Sequence, residues 1–144
     1  MASPDIDIRA MVAADYVRAS DLWRRSEGLG LNESDTERAI GAFLERNPGL
    51  SAIAVDPSGE AVGVVLCGHD GRRGYLHHLA VARSHRGRGM ARALIEFCFV
   101  RLAQAEIPKC NIFVYRENEE GVAFWRHNGW AEPTWRIFQK RIER

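Results

Sequence analysis

Apolar and polar residues alternate over residues 6–11, where Ile6 and Ile8 are interleaved with Asp7 and Arg9, and this period of two predicts a half-buried strand. Over residues 13–23 the rhythm lengthens to helical spacing, with Val17, Ala19, Leu22 and Trp23 recurring on one face and Asp15 as a favourable first-turn acid. The pattern dissolves into a glycine-bearing loop over residues 26–35. It resumes with Ala39, Ile40, Phe43 and Leu44, the stripe of a second helix that Ser34 or Asp35 can cap and Asn47-Pro48-Gly49 ends. Two apolar runs, 50–55 and 61–67, flank the turn Asp56-Pro57-Ser58-Gly59 and predict a hairpin, and after a second turn the chain returns as a strand over 75–81. Ala91, Leu94, Ile95, Cys98, Phe99 and Leu102 form the stripe of a longer helix. Pro108 breaks the pattern, and residues 110–115 read as a fifth strand, parallel to its neighbour because a helix of this length is the usual crossover. Residues 118–128 predict a short helix with Val122, Ala123 and Trp125 or Phe124 facing inward and Gly129 as its C-cap, and residues 135–142 predict a last strand. The layout is α/β: one domain over 1–144 with a mixed, largely antiparallel central sheet and helices on both faces.

One stretch breaks the periodicity in a way that carries chemistry. Between the strand Leu79-Ala80-Val81 and the long helix lies Arg86-Gly87-Arg88-Gly89-Met90-Ala91-Arg92. Strand, glycine turn and helix in that order leave unpaired backbone N–H groups at a helix N-terminus, which binds phosphate readily. Gly87 and Gly89 let an anion approach the backbone, and Arg86, Arg88 and Arg92 add formal charge. The physical reading is a pyrophosphate cradle. It is not a nucleotide P-loop, since no G-x-x-x-x-G-K-[ST] string is present, and a dinucleotide fingerprint would need a third glycine at Arg92.

Arg86-Gly87-Arg88-Gly89-Met90-Ala91 instead resembles the R/Q-x-x-G-x-G/A motif of the GCN5-related N-acetyltransferase (GNAT) family, with Ala91 in the last position. The preceding Leu79-Ala80-Val81 resembles that family's acyl-CoA strand, and the segment from Asn118 to Trp130 is similar to its later motif. The resemblance implies a GNAT-like fold and acetyl-CoA as cofactor, with the pantetheine arm along Leu79, Ala80 and Val81 as an added strand. It further implies that the Leu79 amide polarises the thioester, that Asn118 bonds the arm and that Trp125 faces the cofactor. The reaction expected is direct attack by a primary amine, small or peptide-borne, in a ternary complex.

A substrate amine has a pKa of about 10 and must lose a proton before it can attack. Counting by twos from Leu79, His77 and Tyr75 share one strand face while His78 and Leu76 share the other. The resemblance places acid–base residues at Tyr75 and His77, and an imidazole of pKa near about 6.5 suits a base, so His77 is the first candidate. His78 is expected to pack under a helix. The family's usual tyrosine acid is replaced by Trp125, whose indole cannot deliver a proton. That replacement keeps a non-catalytic acyl-CoA-binding module open as the alternative. In this fold the loop between the first two helices covers the acceptor, and here it carries Glu27, Asn32, Glu33, Asp35 and Glu37, acids that could attract a cation.

Composition narrows the setting. A net charge of +1 argues against a nucleic-acid partner despite the arginines, and no apolar run is long enough for a membrane. The three cysteines, Cys67, Cys98 and Cys110, have no metal-ligand spacing and read as buried free thiols, and no metal is expected. With no apolar leader over residues 1–9, a cytoplasmic location is expected, and a homodimer stays open.

Overall fold

The computed structural model of the chain describes residues 5–143, so the expectation that residues 1–9 hold no leader falls partly outside the described residues. The element order is β1 (Asp7–Ala10), α1 (Tyr16–Arg24), α2 (Glu37–Arg46), β2 (Ala52–Val55), β3 (Ala61–His69), β4 (Gly74–Val81), α3 (Met90–Gln104), β5 (Cys110–Ile112) and α4 (Glu119–His127). Short 3-10 turns occupy Ala13–Asp15, Glu33–Asp35 and Arg83–His85. Backbone contacts divide the chain into two compact units, one ending at Phe113 and one beginning at Val114.

In the first unit the sheet order is β1-β2-β3-β4-β5, an antiparallel meander of four strands with β5 parallel to β4. The parallel edge follows from the α3 crossover, as the sequence predicts. Two glycines of β3 show which helix covers which face. A Cβ at Gly63 would meet Leu94 Cδ1 of α3 at 2.9 Å, whereas one at Gly68, five positions on, would meet Phe43 Cζ of α2 at the same distance. An odd separation along a strand means opposite faces. α3 therefore covers one face, and α2, with α1 packed beside it, covers the other. Between these layers Leu22, Trp23, Ile40, Ile53, Leu76 and Leu94 are fully buried. On α3, Met90 joins the predicted stripe as a buried residue, while Phe99 is exposed at its margin.

Two polar details differ from expectation. Thr36, rather than Ser34 or Asp35, caps α2, its hydroxyl accepting from the Ala39 amide at 3.1 Å. Asp15 does more than favour a first turn: its buried carboxylate accepts two hydrogen bonds from Arg9, both at 2.8 Å, and one from the Val12 amide. Burial pushes its pKa up, but the Arg9 and Val12 hydrogen bonds outweigh that and hold it below the usual carboxylate value.

In the second unit Asn118 caps α4 by accepting from the Gly121 amide at 3.0 Å. Trp125 is the buried residue of α4, edge-on to Phe124 and Trp130, and Gly129 takes the positive φ, 90°, of a C-terminal cap. The expected last strand over residues 135–142 is not formed. Ile137 and Phe138 are adjacent apolar residues, which breaks the alternation a half-buried strand needs, and they are 63% and 92% exposed. The fifth strand is also shorter than predicted, ending at Ile112 rather than at 115. Among the described residues no helix is long and apolar enough to cross a membrane.

Candidate active site

β4 and the turn that follows it hold most of the predicted site residues. The β3–β4 register runs Gly68↔Tyr75, Cys67↔Leu76 and Leu66↔His77, then resumes at Val64↔Ala80, so His78 and Leu79 together oppose Val65. This is a β-bulge, one extra residue on β4. His78 sits at its centre with a φ of 53°, a left-handed conformation uncommon outside glycine. On the other side of β4, pairing to β5 covers only Gly74, Tyr75 and Leu76. From His77 onward that edge of β4 has no strand partner among the described residues. Leu79, Ala80 and Val81 therefore lie along an open edge, where an extended chain can add main-chain hydrogen bonds.

Five residues beyond Val81 the backbone turns into the cradle. Gly87 and Gly89 have φ of 75° and 79°, and Gly89 is the N-cap of α3. A Cβ at Gly87 would meet nothing within 4 Å, so the turn presents open space above its backbone. The amides of Met90, Ala91 and Arg92 form the first turn of α3, which carries no acidic side chain. Met90 contributes only this amide, since its side chain is buried against β3. Arg88 and Arg92 are exposed at the same turn. Arg86 is pinned: its Nε donates to the Val81 carbonyl at 3.0 Å and its Nη1 to Glu27 at 2.8 Å. Arg83 donates to the other Glu27 oxygen at 2.9 Å. Hydrogen bonds from Arg86 and then Arg83 hold the Glu27 carboxyl down at about 2. Glu27, expected on the acceptor side, is instead committed to the cradle.

The imidazoles depart from the count by twos. His77 does lie on the α2 face, edge-on to Phe43 at 5.9 Å and stacked with Phe113 at 6.1 Å. Tyr75 stacks on the same Phe113 at 6.1 Å, so His77 and Tyr75 are brought together as predicted. Burial in this aromatic slot lowers the His77 pKa, His78 lowers it further and Asp35 opposes the shift. His78 was expected on the opposite face, with Leu76. Its left-handed backbone turns the ring to the α1 and α2 side instead, edge-on to Trp23 at 5.3 Å. There its Nε2 meets Asp35 Oδ1 at 2.8 Å, and the Trp23 indole donates to the His78 carbonyl at 3.1 Å. The sequence offers Asp35 as a cap or an acceptor-loop acid and Trp23 as part of a helix stripe. A two-residue periodicity cannot foresee their convergence, although the His77-His78 doublet within a strand was a visible anomaly.

In the second unit, Asn118 Oδ1 is occupied by the cap, which leaves its Nδ2 as the group able to donate to a ligand. Trp125 is packed between aromatic rings as described. No cluster of potential metal ligands occurs among the described residues.

Residues 16–130 match the Acetyltransferase (GNAT) family. The chain belongs to that family. Acetyltransferase YE1169 of Yersinia enterocolitica is 33% identical over 137 residues, covering 95% of this chain and 96% of the relative. Among solved structures, the aminoglycoside N-acetyltransferase AAC(6')-Iy in complex with CoA superposes with a TM-score of 0.74 at 21% identity, covering 94% of each chain. The ribosomal-protein-alanine N-acetyltransferase from Brucella melitensis gives 0.72 at 20% identity, covering 95% of this chain and 99% of that one. At such identities these two likenesses establish the GNAT fold. Family membership makes the protein an N-acetyltransferase with acetyl-CoA as co-substrate.

Proposed function

We propose that this GNAT enzyme acetylates a primary amine, carried by a small molecule or a peptide, by direct attack on acetyl-CoA bound along β4. The observation that carries this reading is the bulge at His78 and Leu79 beside the open edge of β4, immediately ahead of the glycine turn at the N-terminus of α3. The turn suits the pyrophosphate, with amides, a helix dipole and arginines in one place. The open edge suits the pantetheine arm, whose amides exchange hydrogen bonds with Leu79 and Val81. The bulge takes the Leu79 amide out of register with β3, which suits it to polarise a thioester carbonyl.

Two imidazoles stand at the bulge, and the amine must lose a proton there. Burial lowers the His77 pKa, with His78 adding to the shift and Asp35 opposing it, which favours the neutral ring there. The buried thiols Cys67 and Cys98 suit a reducing compartment and support a cytoplasmic setting.

Thiol release from acetyl-CoA, measured with a panel of small amines and N-terminal and lysyl peptides, tests the reading. Turnover with at least one primary amine and a raised Tm at saturating acetyl-CoA are expected. Stabilisation by acetyl-CoA with no transfer to any amine overturns it.

A further inference from the structure

We propose that His78, held by Asp35, is the general base that takes the proton from the acceptor amine, and that Asp35 is its positioning residue. The proposal rests on the transferase reading above and names a residue that strand periodicity does not single out.

The tautomer follows from the partner. An ionised carboxylate only accepts, so the 2.8 Å contact to Asp35 Oδ1 requires a proton on His78 Nε2. The lone pair of the neutral ring is then on Nδ1. Every buried side-chain nitrogen or oxygen among the described residues has a partner, and the ring makes no second hydrogen bond, so Nδ1 is not sealed from solvent. The side chain is 15% exposed and its partner Asp35 is 8% exposed. An imidazole with one nitrogen clamped by a sheltered carboxylate and the other open can accept a proton.

The surroundings hold this arrangement from several directions. Asp35 is fixed on its own side by the Asn32 amide, which donates to Oδ2 at 2.9 Å, and by the Tyr16 hydroxyl, which donates to its backbone carbonyl at 2.9 Å. The left-handed His78 backbone is held by the buried Trp23 indole, which donates to its carbonyl. Charged and titratable groups near His78 include Asp35 from the α1–α2 loop, Tyr16 of α1 through the Asp35 carbonyl, and His77 beside it on β4. His77 differs in kind. Its ring lies between Phe43 and Phe113, and among the described residues no hydrogen bond orients it. His78 has the Asp35 carboxylate at 2.8 Å to orient its ring.

In the reaction an ammonium proton passes to Nδ1 of His78, giving an imidazolium paired with Asp35. The freed lone pair forms the C–N bond, the C–S bond breaks, and sulfur leaves with the electron pair. The second nitrogen proton goes to that sulfur, and His78 returns its own proton to water.

The test compares His78→Asn, His77→Asn and Asp35→Asn by pH–rate profile, with acetyl-CoA-induced Tm shifts as the control for folding and cofactor binding. Asparagine is tolerated in left-handed backbone, so the bulge can persist. His78→Asn is expected to lower kcat by about 100-fold or more, with the KM for acetyl-CoA unchanged and the acidic limb lost. Asp35→Asn is expected to lower kcat by about tenfold and move that limb, while His77→Asn keeps it. In the wild-type protein, 15N NMR should find His78 protonated at Nε2 and not at Nδ1 near pH 8. A His78→Asn enzyme that keeps its kcat or its acidic limb overturns the dyad while leaving the transferase standing, and so does a proton on Nδ1. If the wild type transfers to no amine, the transferase reading fails, and the dyad's role falls with it.

Discussion

The cradle and the bulge lie within a dozen residues of each other, yet they are built in opposite ways. The cradle is local: two glycines at positive φ, the first amides of α3 and neighbouring arginines, all within residues 86–92. The bulge is assembled from afar. One extra residue opposite Val65, an indole 55 positions earlier and a carboxylate 43 positions earlier converge on His78. A binding function that needs only backbone and charge can be written in one short string. Acid–base geometry, which needs a tautomer and an orientation, draws on distant side chains.

The largest expected effect breaks the local half. Gly89→Val puts a β-branched residue at a φ of 79°, so the turn must rearrange and its amides lose their common direction. Affinity for acetyl-CoA should fall by about 100-fold or more by calorimetry, with the sheet retained by circular dichroism. Unchanged affinity would mean the pyrophosphate lies elsewhere.

Next in size is a change confined to the distant half. Trp23→Phe keeps a ring at a buried position but removes the N–H that holds the His78 carbonyl. Stability should drop by about 1–2 kcal/mol. If the bulge serves chemistry and the cradle serves binding, kcat should fall about tenfold while acetyl-CoA affinity stays within about twofold. Equal losses in both would show that the two regions are not separable.

Legibility followed the same division. The succession of β2, β3 and β4, the parallel fifth strand, the glycine turn ahead of α3 and the shared face of Tyr75 and His77 are all readable, because each depends on neighbours in sequence or on a strict period. His78 was misplaced because one residue of bulge resets that period, and no string announces it. Asp35 read as a helix cap since its chemistry suits one, and only the fold shows Thr36 in that role. The strand expected over residues 135–142 failed for a related reason. Apolar composition was present, but adjacent Ile137 and Phe138 cannot both face one side of a sheet.

The two imidazoles at the bulge allow a pH test. The folded pKa of His77 is lowered, first by burial, then by His78, with Asp35 opposing. The unfolded chain therefore binds more protons than the folded one between that lowered value and about 6.5. Stability from a neutral, buried His77 is fully present above about 6.5 and declines as pH falls toward the folded pKa. Denaturant midpoints should fall between pH 8 and 5 in the wild type, and that fall should be absent in His77→Phe. An equal loss in the variant would assign the proton to another group.

The smallest effect concerns a contact between the α1–α2 segment and the cradle. Glu27 accepts from Arg83 and Arg86, and with its carboxyl held at about 2 it stays ionised at any pH the enzyme would meet. It thus offsets the charge of Arg86 in the cradle and that of its neighbour Arg83. Both arginines are partly exposed, so solvent and salt weaken the pair and the effect should be modest. Glu27→Gln is expected to raise acetyl-CoA affinity about threefold at low ionic strength, with the gain shrinking as salt is added. If affinity falls instead, Glu27 orients Arg86 for the phosphate rather than competing with it. The cradle would then also depend on a residue 59 positions away, and the contrast between a local binding site and an assembled catalytic one would have to be redrawn.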